Sequence, residues 1–231
     1  MNPALCIVVP VLDEAPNLAA CLGALQPLRQ RGTRVVVVDG GSSDDSLAIA
    51  RDLADIAFIA PQGRARQMNA GAAACSAELL LFLHADTRLP HNADTLVRRA
   101  TLGRTHWGRF DVTIDSPRPV MRIVEGLMNL RSRWTGIATG DQAIFVRKDL
   151  FDQIGGFPDQ PLMEDVALST LLKRHGPPAC LRERVTTSAR RWERHGPWRT
   201  ILLMWRLRAA YFFGADPSRL AQRYGYRSPP P

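Results

Sequence analysis

Three short apolar runs near the start of the chain end on carboxylates. Ile7-Val8-Val9-Pro10 leads to Asp13-Glu14, Val35 to Val38 leads to Asp39, and Leu79 to Leu83 leads to His84-Ala85-Asp86. Runs of this length, rich in β-branched residues and separated by helix-like stretches, read as buried parallel strands. Ligands of open α/β sheets sit in the crevice outside the carboxyl ends of the strands. Three acidic strand ends in succession therefore point to a site for a nucleotide and a divalent metal. Strand-end turns favour Asp on their own account, but three in a row at similar positions exceed what turn chemistry needs.

The elements that must hold these acids alternate in type. Leu18, Cys21, Leu22 and Leu25 recur at helical spacing after Pro16. Val35 to Val38 ends at Asp39-Gly40-Gly41-Ser42-Ser43-Asp44. The glycines there allow a tight turn, and Ser42, Ser43 or Asp44 can cap the next helix. Ile56 to Ile59 is expected as a third strand, Gly63 to Gly71 opens another helix, and Leu79 to Leu83 forms the fourth strand. This is the β-α alternation of a doubly wound, mostly parallel sheet. Further on, the pattern predicts a helix over 92–102, a strand over 107–114 and a helix over 120–133. A turn into a strand follows over 140–146, then a turn at Gly155-Gly156-Phe157-Pro158 and a helix from Met163-Glu164-Asp165 to His175.

At 231 residues, 45% of them hydrophobic, the chain can bury one sizeable core. We expect one α/β domain over 1–196, a helical extension over 197–227 and a disordered tail over 228–231. A net charge of +8 and a pI of about 10.1 imply anionic partners. Nucleic acid is set aside, because no helix-turn-helix, zinc-finger or RNP pattern occurs and the basic residues are dispersed. Cys6, Cys21, Cys75 and Cys180 form no CxxC pair and are expected as reduced, buried thiols of a cytosolic protein. No basic segment precedes the first apolar run, so no signal peptide is expected.

Six motifs run in order between residues 5 and 192: Pro10-Val11-Leu12-Asp13-Glu14, Val38-Asp39-Gly40-Gly41-Ser42, Gly63-Arg64-Ala65-Arg66-Gln67-Met68-Asn69-Ala70-Gly71, His84-Ala85-Asp86, Met163-Glu164-Asp165 and Arg191-Trp192. Together they closely resemble the glycosyltransferases of family 2, which have the GT-A fold. With Gly140-Asp141-Gln142 and Arg191-Trp192-Glu193-Arg194-His195-Gly196, the chain is similar to a bacterial subgroup labelled for arsenosugar biosynthesis. The resemblance implies a GT-A-like fold and transfer of a sugar, with inversion, from a nucleotide-diphosphate sugar to a hydroxyl acceptor. A UDP-sugar is the default donor, the acceptor is a small molecule or lipid-linked, and Mg or Mn assists.

The same resemblance distributes roles. Pro10, Glu14, Asp39, Gly41 and Ser42 fall in the nucleoside site, with Glu14 and Asp39 bonding the base and ribose; the plainer role for Glu14 is charge at a helix start. Gly63, Arg64, Arg66 and Asn69 match the loop beside the donor. The arginines would meet the diphosphate there, or else be solvated on a capped surface helix. His84-Ala85-Asp86 stands where the family commonly has Asp-x-Asp. That leaves Asp86 as the metal ligand and His84 as a nucleotide or metal contact or a structural residue. Asp165, with Glu164 as the nearer alternative, is the expected general base, unless both only complement the helix dipole. Gly140, Asp141, Gln142, Arg191 and Trp192 are assigned to the acceptor and diphosphate. Ser188 to Trp192 is similar to the Gln-x-x-Arg-Trp of processive members, with Ser188 in the glutamine's place. His195 is a further metal or phosphate contact in this reading.

Trp198 to Phe213 is apolar but interrupted by Arg199, Arg206 and Arg208, too short and too charged to span a bilayer. A helix docked on the sheet or on a second subunit of a homodimer is expected, with an interfacial helix as the alternative. The expected location is cytoplasmic, with peripheral contact at the inner membrane face as its variant. Two other classes stay open: a nucleotidyltransferase acting on a sugar phosphate, and a catalytically silent binding protein at a membrane surface.

Overall fold

The computed structural model describes residues 4–225, and the tail expected over 228–231 lies outside the described residues. The chain begins β1 (Leu5–Val11), α1 (Ala15–Gln30), β2 (Arg34–Asp39), α2 (Ser46–Leu53), β3 (Ile56–Ile59), α3 (Arg64–Ala73) and β4 (Leu79–Phe82). It continues through β5 (Thr87–Arg88), α4 (Ala93–Ala100), β6 (Trp107–Asp115), α5 (Pro119–Thr135), β7 (Phe145–Arg147) and α6 (Lys148–Gln153). It ends with α7 (Glu164–Leu172), β8 (Ala179–Ser188), α8 (Arg190–His195), α9 (Pro197–Phe212) and α10 (Pro217–Tyr224). One sheet takes all eight strands in the order β3-β2-β1-β4-β7-β6-β8-β5.

β1 is buried on both faces, so its side chains feed two cores in alternation. Ile7, Val9 and Val11 pack with Leu18, Leu22 and Leu25 of α1, while Cys6 and Val8 pack with Met68 and Ala72 of α3. Each fully buried Leu or Val contributes roughly 1.5–3 kcal/mol relative to exposure. α3 lies close over the sheet because Gly71 has no side chain; a Cβ there would run into Val8 and Val38. The expected β-α alternation over the first 83 residues is thus the observed one, built on parallel pairing of β3, β2, β1 and β4.

Strand polarity decides what reaches the site. β7 runs antiparallel to β4, with Phe145 opposite Leu81, and β6 runs antiparallel to β7 but parallel to β8. The carboxyl ends of β1, β2, β4, β6 and β8 and the start of β7 therefore share one rim. A 3-10 turn at Gly140–Gln142 precedes β7, which carries these residues past the end of β4.

Three differences from expectation have physical causes. β8 went unread because Arg182, Glu183 and Arg184 are exposed in its middle, beside a bulge between Phe110 and Asp111 of β6. β5 and α6 are too short for any periodicity to show. Cys6 and Cys75, expected as free thiols, form a disulfide: β1 and the turn after α3 bring their Cα atoms to 6.2 Å across 69 residues. Cys21 and Cys180 are free. α9 packs on the domain itself, through Ile201 against Ile114 of β6 and on the segment before α7 and on α10. Leu203, Leu207, Ala210 and Tyr211 pack there with Leu162, Met163, Leu220 and Ala221. Among the described residues no helix is long and apolar enough to cross a membrane.

Candidate active site

A cavity of about 1110 Å³ opens over the rim. At one end it is lined by Pro10, Glu14, Gly63, Arg64, Arg66, His84 and Asp86, and at the other by α5 and α9, with Asp141, Arg190 and Trp192 between. Asp39, Gly41, Ser42, Asn69, Gly140, Gln142, Glu164 and Asp165 are not among its lining residues, and Gly140, Glu164 and Asp165 line a small recess with His84. The side chains of Arg191 and His195 lie outside the described residues.

Asp39 is 1% exposed. Its Oδ1 accepts hydrogen bonds from the backbone N–H groups of Gly41 and Ser42, each at 2.7 Å. Its Oδ2 is buried without a hydrogen-bond partner. An unpaired buried carboxylate oxygen is costly in isolation and favours a ligand donor arriving beside it. Gly41, at φ +92°, supplies the left-handed turn that points both amides back at Asp39. Gln67 stiffens the same corner, its Nε2 donating to the carbonyls of Val11 and Val38 at 2.8 and 2.9 Å.

Glu14 does not cap α1 with its side chain. Its Oε2 accepts from Asn17 at 2.9 Å and from Arg190 Nη2 at 3.1 Å, and the same Nη2 reaches Asp86 Oδ2 at 3.4 Å. Arg190 thus joins the acids at the ends of β1 and β4. The Arg-Trp motif points to Arg191; among the described side chains its neighbour Arg190 meets these acids, and the signal for it was adjacency. Arg66 pairs with Asp159 at 3.0 Å. Asn69 is placed away from the cavity, its amide exchanging hydrogen bonds with the backbone of Phe157 at 2.8 and 2.9 Å. It braces the Gly155-Gly156 turn instead of facing a ligand.

His84 Nδ1 lies 3.5 Å from Asp141 Oδ1, and the imidazole packs against Gly140 so closely that a Cβ on Gly140 would overlap it. Burial alone would raise the Asp141 carboxyl, but the hydrogen bond and charge of His84, with Arg64 and Arg208, outweigh it and hold the group below its usual range. Asp165 starts α7. Its Oδ2 accepts from Gly140 N–H at 2.9 Å and its Oδ1 from its neighbour Val166 N–H at 2.7 Å. Glu164 is buried beside it, and burial, then the charge of Asp165, pushes its carboxyl up to about 7. Gln142 is buried and closes a capping box with Thr139, so it shapes the turn from within.

Among the described residues no group of three or more His, Cys, Asp and Glu side chains could hold a metal ion. Asp86 faces the cavity among the carboxylates of Glu14, Asp141 and Asp159. That donor set fits an ion whose remaining ligands come from a bound diphosphate.

Sequence reasoning missed two further arginines. Arg131 of α5 and Arg208 of α9 both line the cavity. Nε and Nη2 of Arg131 and Nε of Arg208 are buried without hydrogen-bond partners. Burial, then repulsion from Arg208, lowers the Arg131 guanidinium to about 10 against the pull of Asp165 and Asp141. Each sits in an amphipathic stretch that reads as an ordinary surface helix, so no local signal marks it.

A family described as "Glycosyl transferase family 2" matches residues 6–152. The chain is 33% identical to a "PGL/p-HBAD biosynthesis glycosyltransferase" of Mycobacterium bovis over 175 residues, 67% of this chain and 63% of that protein. It thus spans less than two thirds of that relative's length. It is 26% identical to "Glycosyltransferase AglE" of Haloferax volcanii over 68% of this chain and 57% of the relative. Its fold is similar to S. aureus TarS 1-349, with a TM-score of 0.67 and 16% identity over 82% of this chain and 61% of that one. It is also similar to the mannosyltransferase PcManGT of Pyrobaculum calidifontis in complex with GDP-Man and Mn2+, with a TM-score of 0.64 and 20% identity over 100% of this chain and 67% of that one.

Proposed function

The chain belongs to glycosyl transferase family 2, and on that premise we propose that it moves a sugar from a nucleotide-diphosphate sugar to a hydroxyl acceptor with inversion, Asp165 acting as the base. The observation that carries the donor site is the convergence of Glu14 and Asp86 on one guanidinium, that of Arg190, at 3.1 and 3.4 Å. It supports the reading by setting the acid proposed for the nucleoside beside the one proposed for the metal on the wall of a single cavity. Asp39, with its free Oδ2, receives a ring or ribose donor. Arg64 and Arg66 meet the diphosphate. Asp86 would hold Mg or Mn, which when bound stabilises the charge that develops on the leaving diphosphate.

Asp165 takes the acceptor proton as the hydroxyl oxygen attacks the anomeric carbon. Its fixed orientation supports this role, since two backbone N–H groups hold the carboxylate in place. Glu164, buried beside it with its carboxyl pushed up to about 7, is the alternative base. UDP is the proposed nucleotide, on the strength of the family's usual donor. The subgroup resemblance assigns no acceptor. Family membership puts glycosyl transfer ahead of nucleotidyl transfer and of silent binding at a membrane. A cytoplasmic location, where nucleotide sugars are made, belongs to the same proposal.

The test is calorimetric titration with UDP, GDP, CDP and ATP, each with and without Mn, on wild type and Asp86→Ala. Metal-dependent binding of one diphosphate, lost in the variant, supports the donor site. No binding of any of them overturns it.

A further inference from the structure

The cavity continues past the strand ends to a wall that the donor does not use. α5 exposes Ile123, Leu127, Leu130 and Trp134, at 61%, 52%, 42% and 81% of their full surface, spaced by three or four residues along one helix face. α9 does the same with Trp198, Leu202, Trp205 and Phe212, exposed by 70%, 50%, 65% and 83%. The helices are neighbours, since Ile201 of α9 packs into the cluster formed by Met121 and Val124 of α5. Leu127, Leu130 and Trp134 on one side and Trp205 on the other also line the cavity. Two apolar stripes therefore flank one opening.

The charge of this face is one-sided. α9 carries Arg199, Arg206 and Arg208 and no acidic residue. The one acid of α5, Glu125, is turned inward and accepts from the backbone N–H of Ile114 at 3.0 Å. Aromatic side chains interleaved with arginines on an exposed helix match the boundary between headgroups and acyl chains of an anionic bilayer. A contact between two copies of this chain would instead set these arginines against each other.

Just inside the opening, Arg131 and Arg208 present the buried donors that lack partners. Two guanidiniums that repel each other, with Nε and Nη2 of Arg131 and Nε of Arg208 unbonded, form a seat for a phosphate-like anion that would complement them beside Asp141 and Asp165. We infer that α5 and α9 seat the protein on an anionic lipid surface with the cavity mouth facing the bilayer, and that Arg131 and Arg208 receive the anionic headgroup of one lipid as the acceptor-side ligand. This rests on the glycosyl-transfer reading for the word acceptor and on geometry alone for the docking.

The experiment is co-sedimentation of the full chain with vesicles of phosphatidylcholine and with vesicles in which about one lipid in four is phosphatidylglycerol, with quenching of tryptophan fluorescence by brominated acyl chains. The expected result is binding to the anionic vesicles with quenching, weakened by salt. Trp198→Ser/Phe212→Ser, remote from the nucleotide end, should weaken binding by roughly tenfold or more. Arg131→Gln/Arg208→Gln should remove the preference for phosphatidylglycerol. Equal or absent binding to both vesicles overturns the inference. So does a stable dimer in sedimentation that Trp198→Ser/Phe212→Ser dissociates. UDP titration of the same samples reads the donor site separately, so intact UDP binding with no vesicle binding sinks this inference and leaves the proposed reaction standing.

Discussion

The backbone N–H of Gly140 donates to Asp165 Oδ2 at 2.9 Å, which ties the turn before β7 to the first residues of α7. With Oδ1 held by Val166 N–H, both carboxylate oxygens accept from fixed donors, so the side chain cannot swing. Asp165→Asn offers one oxygen and one NH2 to two N–H donors. It should cost about 1 kcal/mol of stability, lower turnover by about 10²–10⁴-fold and leave the dissociation constant for UDP unchanged. Steady-state rates beside nucleotide calorimetry separate these effects; a variant with full turnover removes Asp165 from the chemistry.

Gly140→Ala drives a methyl group into the His84 imidazole. The turn must shift, loosening both the Asp165 hydrogen bond and the contact between His84 and Asp141. A loss of about 1–3 kcal/mol is expected from overpacking, read as a lowered thermal midpoint. An unchanged midpoint would show that His84 has another place to go.

Glu164 gives a pH signature. Its carboxyl lies at about 7 in the folded chain against an ordinary 4.5, so the folded state binds that proton more tightly than the unfolded state. Folding takes up a proton between these values, and stability falls as pH rises through the window. The penalty is absent below about 4.5 and complete above about 7. Glu164→Gln cannot ionise, so the gap in melting temperature between it and wild type should widen in the variant's favour as pH rises. Parallel curves would mean that Glu164 is not displaced.

Arg190→Ala leaves Glu14 and Asp86 without the cation that joins them. Two acids facing each other across the strand ends should attract a divalent ion more strongly. Mn alone, titrated without nucleotide, is therefore expected to bind more tightly to the variant than to wild type. Weaker or equal Mn binding would place the bridge outside the metal position.

Thiol labelling of the denatured chain should find two reactive cysteines before reduction and four after, given the bond between Cys6 and Cys75. Cross-linking a loop of 69 residues stabilises by about 4 kcal/mol on chain-entropy grounds, so reduction should lower the melting temperature. Four thiols without reductant would restore the expectation drawn from cysteine spacing.

The half of the rim formed by β1, β2 and β4 was legible in the sequence because each acid follows its own buried strand, although the sheet sets those acids in the order Asp39, Glu14, Asp86. The other half was not. Arg131 and Arg208 stand on helices far apart in the sequence, and Asp141 meets His84 only because β7 reverses direction beside β4. A strand reversal leaves no mark in hydropathy. Asn69 lies inside a strong motif, and only the fold shows that its amide exchanges hydrogen bonds with the Phe157 backbone. The disulfide was invisible because two small buried residues 69 positions apart look the same bonded or free.

The antiparallel step between β4 and β7 divides the molecule's hereditary freedom. Everything on its parallel side packs in register against its neighbours, so an insertion there displaces several strand ends at once. On the other side, the turn before β7, α5 and α9 meet the cavity from separate connections, each of which can lengthen or change its surface without moving β1, β2 or β4. A chain built on this plan can reshape one wall of its cavity by altering one loop or one helix face while the corner at β1, β2 and β4 stays as it is.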